Sequence, residues 1–115
     1  MNTENTRSIL IDGGELVISV GTKQIHISAK TYGAYTMNKI GINNIHIQRS
    51  SDNSNFSDEK TASGDYAYST DTYVKNDYPV SVLGGYYYRV VLDHYAYNGS
   101  ISDTAGHTSN SVWIA

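Results

Sequence analysis

From Tyr86 to Tyr97 the chain reads Tyr-Tyr-Tyr-Arg-Val-Val-Leu-Asp-His-Tyr-Ala-Tyr. No other stretch restricts the fold as much. Aromatic and β-branched residues fit a pleated, half-buried surface. Read with a period of two, the segment places Tyr88, Val90 and Leu92 on one face. It places Tyr87, Arg89, Val91, Asp93 and Tyr95 on the other. One face is apolar and the other mixed, as expected of a strand with a second layer on one side only.

The same period recurs along the chain. Ile9 and Ile11 begin a weak first strand, and Leu16, Ile18 and Val20 form a second run. Ile25, Ile27 and Ala29 alternate with Gln24, His26, Ser28 and Lys30. Ile45 and Ile47 alternate with Asn44, His46 and Gln48. Phe56 opens a short edge strand, residues 65–74 form another strand, and residues 109–114 close the fold. Asp12-Gly13-Gly14, Gly21-Thr22, residues 50–54, Asp77-Tyr78-Pro79, Gly84-Gly85 and Asn98-Gly99 read as turns or loops. Residues 31–39 read as a connection and residues 101–107 as a polar segment.

No stretch has the amphipathic pattern of a helix. Ser, Thr, Asn and Gly supply 44 of the 115 residues, which leaves few strong helix formers. The reading is an all-β antiparallel β-sandwich of seven to eight strands. A length of 115 residues suits one domain. Residues 1–14 read as an N-terminal segment with some flexibility, and residues 15–115 as the sandwich.

Eight basic against eleven acidic side chains give a net charge of −3, with no Lys/Arg cluster. Nucleic acid and anionic membrane surfaces are therefore poor partners. No apolar run is long enough to insert into a membrane. The absence of cysteine excludes disulfides, thiolate catalysis and cysteine-ligated zinc. The start, Met1 to Thr6, has no basic-then-apolar leader, which leaves a cytosolic protein or a mature exported domain. The surface-like composition, rich in Tyr, Ser, Thr, Asn and Gly, favours export.

The segment from Gly84 to Leu92 resembles the sixth strand of immunoglobulin-like and fibronectin type III-like sandwiches, where a tight turn precedes a Tyr. The resemblance implies that the Tyr88 hydroxyl bonds backward to the preceding loop, a tyrosine corner. Residues 45–52 resemble the third strand and its turn. Three motifs, residues 42–51, 84–95 and 108–114, together resemble a family of short exported Firmicutes proteins known only as a domain of unknown function. That resemblance covers roughly residues 15–115. It implies a secreted or cell-surface protein and carries no catalytic residues.

The chemistry-bearing residues read mainly as structural. His26, His46, His94 and His107 fall on separate elements without metal-ligand spacing. Pairing of the third and sixth strands would bring His46 near His94, yet Asp93 and His94 leave opposite faces of their strand. Asp52, Asp58 and Glu59 could furnish oxygens for a weak calcium site, but the EF-hand spacing is absent and Asx residues also build turns. No Gly-x-Ser-x-Gly elbow occurs. Gly13-Gly14 and Gly84-Gly85 precede no helix and cradle no phosphate. Arg49 and Arg89 read as solvated or paired with Asp93. No metal and no cofactor is called for, and the chain reads as non-enzymatic.

Tyrosine departs furthest from expectation, with 11 Tyr beside one Phe and one Trp. A core of this size cannot hold so many rings. With Val112 and Ile114 inward, Trp113 points outward, so Tyr87, Val91, Tyr95 and Trp113 are expected to share one exposed face. Exposed rings bind a protein or glycan ligand at low entropic cost. The leading reading is a protein-binding module. The alternatives are a carbohydrate-binding module and a self-assembling surface protein, a homo-oligomer joined through an edge strand.

Overall fold

The computed structural model describes residues 9–115. The described residues are all-β and antiparallel, with the seven strands β1 (Ile11–Gly21), β2 (Gln24–Ser50), β3 (Ser57–Ala62), β4 (Asp65–Ser81), β5 (Tyr86–Tyr97), β6 (Ser102–Thr108) and β7 (Val112–Ile114). Among the described residues no helix is long and apolar enough to cross a membrane.

The strands make one continuous hydrogen-bonded sheet that doubles over into a sandwich-like pair of layers. Strand β2 runs through both layers. Its first part, Gln24 to Tyr32, lies between β1 and the later part of β4. Its second part, Lys39 to Ser50, pairs with β5 on one side. On its other side it meets the start of β4 and then β3. Strands β6 and β7 extend the second layer from the far edge of β5. The shortest dimension is 17 Å, room for two sheets about 10 Å apart and not for a third.

Two register breaks let one strand serve both layers. The pairing of β2 with β4 breaks between Tyr32 and Met37, where the chain turns the corner. The pairing of β2 with β5 breaks between Asn43 and His46, where Asn44 has φ +51. A bulge adds a residue to one strand and reverses the side-chain parity beyond it. Ile40 and Ile42 therefore point inward before the bulge, and Ile45 and Ile47 point inward after it. Asn tolerates that backbone conformation better than most residues.

Strand β5 spans the expected segment, and its alternation is complete. Tyr88, Val90, Leu92, His94 and Ala96 are buried, and the residues between them are not. All but His94 pack with Leu16 and Ile18 of β1, Ile25 and Ile27 of β2, and Ile114 of β7 in one core. The Tyr88 hydroxyl donates to the Leu83 carbonyl at 2.7 Å.

Several expected turns are strand. Gly13 and Gly14 sit in β1 opposite Tyr32 and Thr31, with a bulge that absorbs Asp12. Residues 31–39 continue β2 around the corner, because the two layers are built from one ribbon. Asp77, Tyr78 and Pro79 lie in β4, where a bulge with Asp77 at φ +49 takes up the irregularity. The polar segment after Asn98 becomes β6, since its alternate residues face the core edge of β5. Strand β1 begins at Ile11, ahead of the expected boundary at residue 15, and Leu10 is buried. Residues 1–8 of the expected N-terminal segment lie outside the described residues.

Gly41 marks the tightest backbone approach. It pairs with Tyr66 of β4 and with Tyr95 of β5. A Cβ there would fall on the Asp65 carbonyl oxygen and lie 2.8 Å from the Tyr66 Cα. Both obstacles are backbone, so neither can rotate away. At Gly13 the nearest atom to a Cβ is a Tyr32 ring carbon at 3.6 Å, an ordinary contact. Gly41→Ala is expected to cost about 3 kcal/mol by overpacking, and Gly13→Ala less than about 1 kcal/mol. Urea unfolding of the two variants checks the contrast.

Candidate functional site

The outward face of β5 carries two ring clusters and a polar band between them. At one end Tyr87 stands opposite Trp113 of β7. Their rings meet edge to face, 4.9 Å apart at 60°, and Trp113 is 47% exposed. At the other end Tyr95 and Tyr66 flank Gly41 from its two neighbouring strands. With no side chain between them, their rings close to 5.5 Å at 73°. The Lys39 ammonium lies 4.1 Å from the Tyr66 ring centre and 5.8 Å from that of Tyr95.

The band between these clusters is a chain of polar contacts. Arg89 Nε donates to Gln48 Oε1 at 2.8 Å, and Gln48 Nε2 donates to Asp58 Oδ1 at 2.9 Å. His46 Nδ1 lies 3.1 Å from Asp58 Oδ2, and its Nε2 lies 3.0 Å from Asn44 Oδ1. Asn44 Nδ2 reaches Asp93 Oδ2 at 3.4 Å. The Arg89 guanidinium also covers the Phe56 ring at 4.2 Å. Arg89 thus pairs through Gln48 and not with Asp93. Arg49 pairs with Glu59 at 3.2 Å and lies over Tyr86.

Tyr87, Val91 and Tyr95 leave the same side of β5, and Trp113 stands beside Tyr87. They do not form one apolar patch. Tyr95 lies eight positions along the strand from Tyr87, about 27 Å at the usual rise. Val91 stands between the clusters, opposite His46 and Thr108. Tyr66, Lys39 and Phe56 complete the face, and sequence reading did not single them out for it. Tyr66 joins because of the β2–β4 register, which no local pattern encodes.

The histidines are arranged differently from the expected neighbours. His46 lies on the outer face, and His94, 3% exposed, points into the core. The second part of β2 does pair with β5, but these two rings leave opposite faces. His94 meets His107 of β6 instead, with its Nε2 2.9 Å from the Nδ1 of His107. His94 Nδ1 lies 2.7 Å from Thr31 Oγ1, and that hydroxyl donates to the Gly41 carbonyl at 3.0 Å. Thr31 has spent its proton on Gly41, so His94 Nδ1 must donate to Thr31. His94 Nε2 must then accept from His107 Nδ1. A neutral His94 satisfies every contact. Gly14 of β1 makes room, since a Cβ there would lie 2.5 Å from His94 Nε2.

The carboxylates of the calcium reading are each engaged separately. Asp52 Oδ1 accepts from the Ser54 and Asn55 amides and from the Ser50 hydroxyl. Its Oδ2 accepts from Asn55 Nδ2 at 2.9 Å. These donors, the Asn55 amide foremost, hold its pKa far below the usual carboxylate range. Asp58 belongs to the polar band and Glu59 to Arg49. Among the described residues no three His, Asp or Glu side chains converge as a metal would require.

Burial, helped by the nearby His107, lowers the His94 pKa from 6.5 to about 4, against a smaller opposing pull from Asp93. Above pH 6.5 the ring is neutral folded or unfolded. Between 6.5 and 4 the unfolded chain takes a proton that the folded one refuses, so stability falls as pH falls. The loss is about 3 kcal/mol when complete near pH 4. Urea unfolding across that range should show this loss and a flatter profile in His94→Gln. No family model matches this chain, and no curated protein or solved structure matches it either.

Proposed function

We propose that this chain is an exported, non-enzymatic binding module that engages a protein partner through the outward face of β5 and β7. The observation that carries this reading is the pairing of rings at the two ends of that face. Protein interfaces concentrate their energy in a few aromatic anchors within a polar surround. Tyr87 with Trp113, and Tyr66 with Tyr95, are such anchors, and the band from Arg89 to Asp93 supplies hydrogen-bonding groups between them. Tyr and Arg, prominent here, are enriched at protein interfaces, as is Trp.

The ring geometry argues against the glycan alternative. Stacking on a sugar needs a flat ring face left open. Edge-to-face pairs at 60° and 73° turn one ring's edge into the other's face and build no shared platform.

The strand arrangement supports an immunoglobulin-like or fibronectin type III-like assignment within the sandwich-like class. One layer holds β1, early β2 and late β4, and the other holds β3, early β4, late β2, β5 and β6 with β7. The Tyr88 bond to the turn before β5 fits it as well. Membership of the short exported Firmicutes family, and with it a secreted or cell-surface location, rests on the three sequence motifs.

The test is a binding screen of the purified chain against immobilised extracellular proteins and a glycan array. Binding to a protein should weaken roughly thirtyfold or more in Trp113→Ala, with unfolding in urea unchanged. Binding confined to glycans would replace this reading with the carbohydrate one. Absence of either, with reversible association in sedimentation, would replace it with self-assembly.

A further inference from the structure

Away from the β5 face, a cleft of about 190 Å³ opens between the two layers. Its floor is the core itself: Ile27 from the first part of β2, Ile42 and Ile45 from the second, with Ala62 of β3 beside them. The tight connection Ser63-Gly64 and the ring of Tyr78 form its lips. At the mouth the Lys75 ammonium lies 2.9 Å from Asp65 Oδ2, and the Tyr73 hydroxyl donates to the same oxygen at 2.7 Å.

We infer that this cleft is a socket for one branched aliphatic or aromatic side chain of an extended polypeptide, and that the same residue's backbone N–H and C=O engage Asp65 and Lys75. Size sets the first part. An apolar cavity of about 150 Å³ takes up benzene, whereas whole drug-sized ligands occupy about 300–1,000 Å³. A space of this volume suits a single side chain of the Leu, Ile or Phe class. The lining sets the polarity, since the floor offers only hydrocarbon.

The mouth sets the head group. An ion pair has no net charge, so it disfavours an isolated carboxylate or ammonium and favours a group that donates and accepts together. A residue in an extended chain does both, because its N–H and C=O leave the same side of the backbone. Its carbonyl can accept from Lys75, which has three donor hydrogens and gives one to Asp65. Its N–H can donate to Asp65, a carboxylate with about four lone-pair positions, of which Tyr73, Lys75 and the Tyr66 amide take three. The inference rests on the proposed role only in taking a polypeptide as the occupant. The socket shares no residue with the Tyr87–Trp113 or Tyr66–Tyr95 clusters.

The experiment uses isoleucine-methyl-labelled protein and three probes: N-acetyl-leucinamide, N-acetyl-glycinamide and isobutanol. Saturable shifts of the Ile27, Ile42 and Ile45 methyl signals are expected with N-acetyl-leucinamide and isobutanol, and none with N-acetyl-glycinamide. Ala62→Leu fills the space and should weaken N-acetyl-leucinamide roughly tenfold or more. Lys75→Met leaves the space open. It should weaken N-acetyl-leucinamide several-fold and leave isobutanol unchanged. Unmoved methyl signals at saturating isobutanol, or equal response to the glycine and leucine amides, would overturn the inference. So would a Lys75→Met variant that weakens both active probes alike. The Trp113→Ala screen reads a different surface, so either proposal can fail alone.

Discussion

The register of β5 is the constraint on which the rest of this structure depends. A slip of one residue would carry Arg89, Asp93 and the Tyr rings inward and expel Tyr88, Val90 and Leu92. Each large apolar side chain so lost forfeits about 1.5–3 kcal/mol, and the buried charges would add several more. Both ends of the strand are pinned against this. At the start, the Tyr88 hydroxyl holds the Leu83 carbonyl, and the Gly85 amide donates to Ile114 at 2.7 Å with φ +92. At the end, the Asn98 side chain accepts from the Ser100 and Ile101 amides and fixes the turn into β6.

His94 is the polar member of an otherwise apolar or aromatic inward series, and it does what an aliphatic residue there could not. Its hydrogen bonds tie β5 to Thr31 of β2 and His107 of β6, while its ring fills the space above Gly14 of β1. Four strands from both layers meet at one imidazole. A fully satisfied buried network of this kind specifies a single arrangement more sharply than interchangeable methyl groups do. The same satisfaction makes it sensitive to acid. A second proton on the ring would force His107 into its other tautomer and leave a charge buried in the core.

What the sequence made legible was local. The β5 alternation, the inward Ile pairs, the turn at Asn98-Gly99 and the outward course of Tyr87, Val91, Tyr95 and Trp113 all follow from a period of two and from turn chemistry. What it hid was non-local. Residues 31–39 carry Gly33 and lack alternation, so they read as a loop; only pairing with β4 and the corner between layers makes them strand. Pro79 argues against a strand interior, yet β4 is an edge in its later part, where a missing N–H is harmless. The His94–His107 contact is a diagonal across β5 and β6, set by the register that pairs His94 with Ala105 and Leu92 with His107. Tyr66 reaches Tyr95 only across Gly41, through two different pairings of β2.

The surfaces that matter arise where long strands change layer. Because β2 crosses between Tyr32 and Met37, its second part arrives between β4 and β5 with Gly41 in the middle, and the rings on either side can touch. Strand β4 must cross at the same corner, between its pairings at Thr70 and Thr72, and Ser69 just before it takes φ +55. Beyond the crossing β4 follows the first part of β2, while β3 follows the second. The layers therefore part between the β3–β4 connection and late β4, and Ile27 faces Ile42 and Ile45 across the gap. The ring cluster at Gly41 and the cleft at Asp65 thus share one geometric origin, although one lies outside the sheet and the other within it.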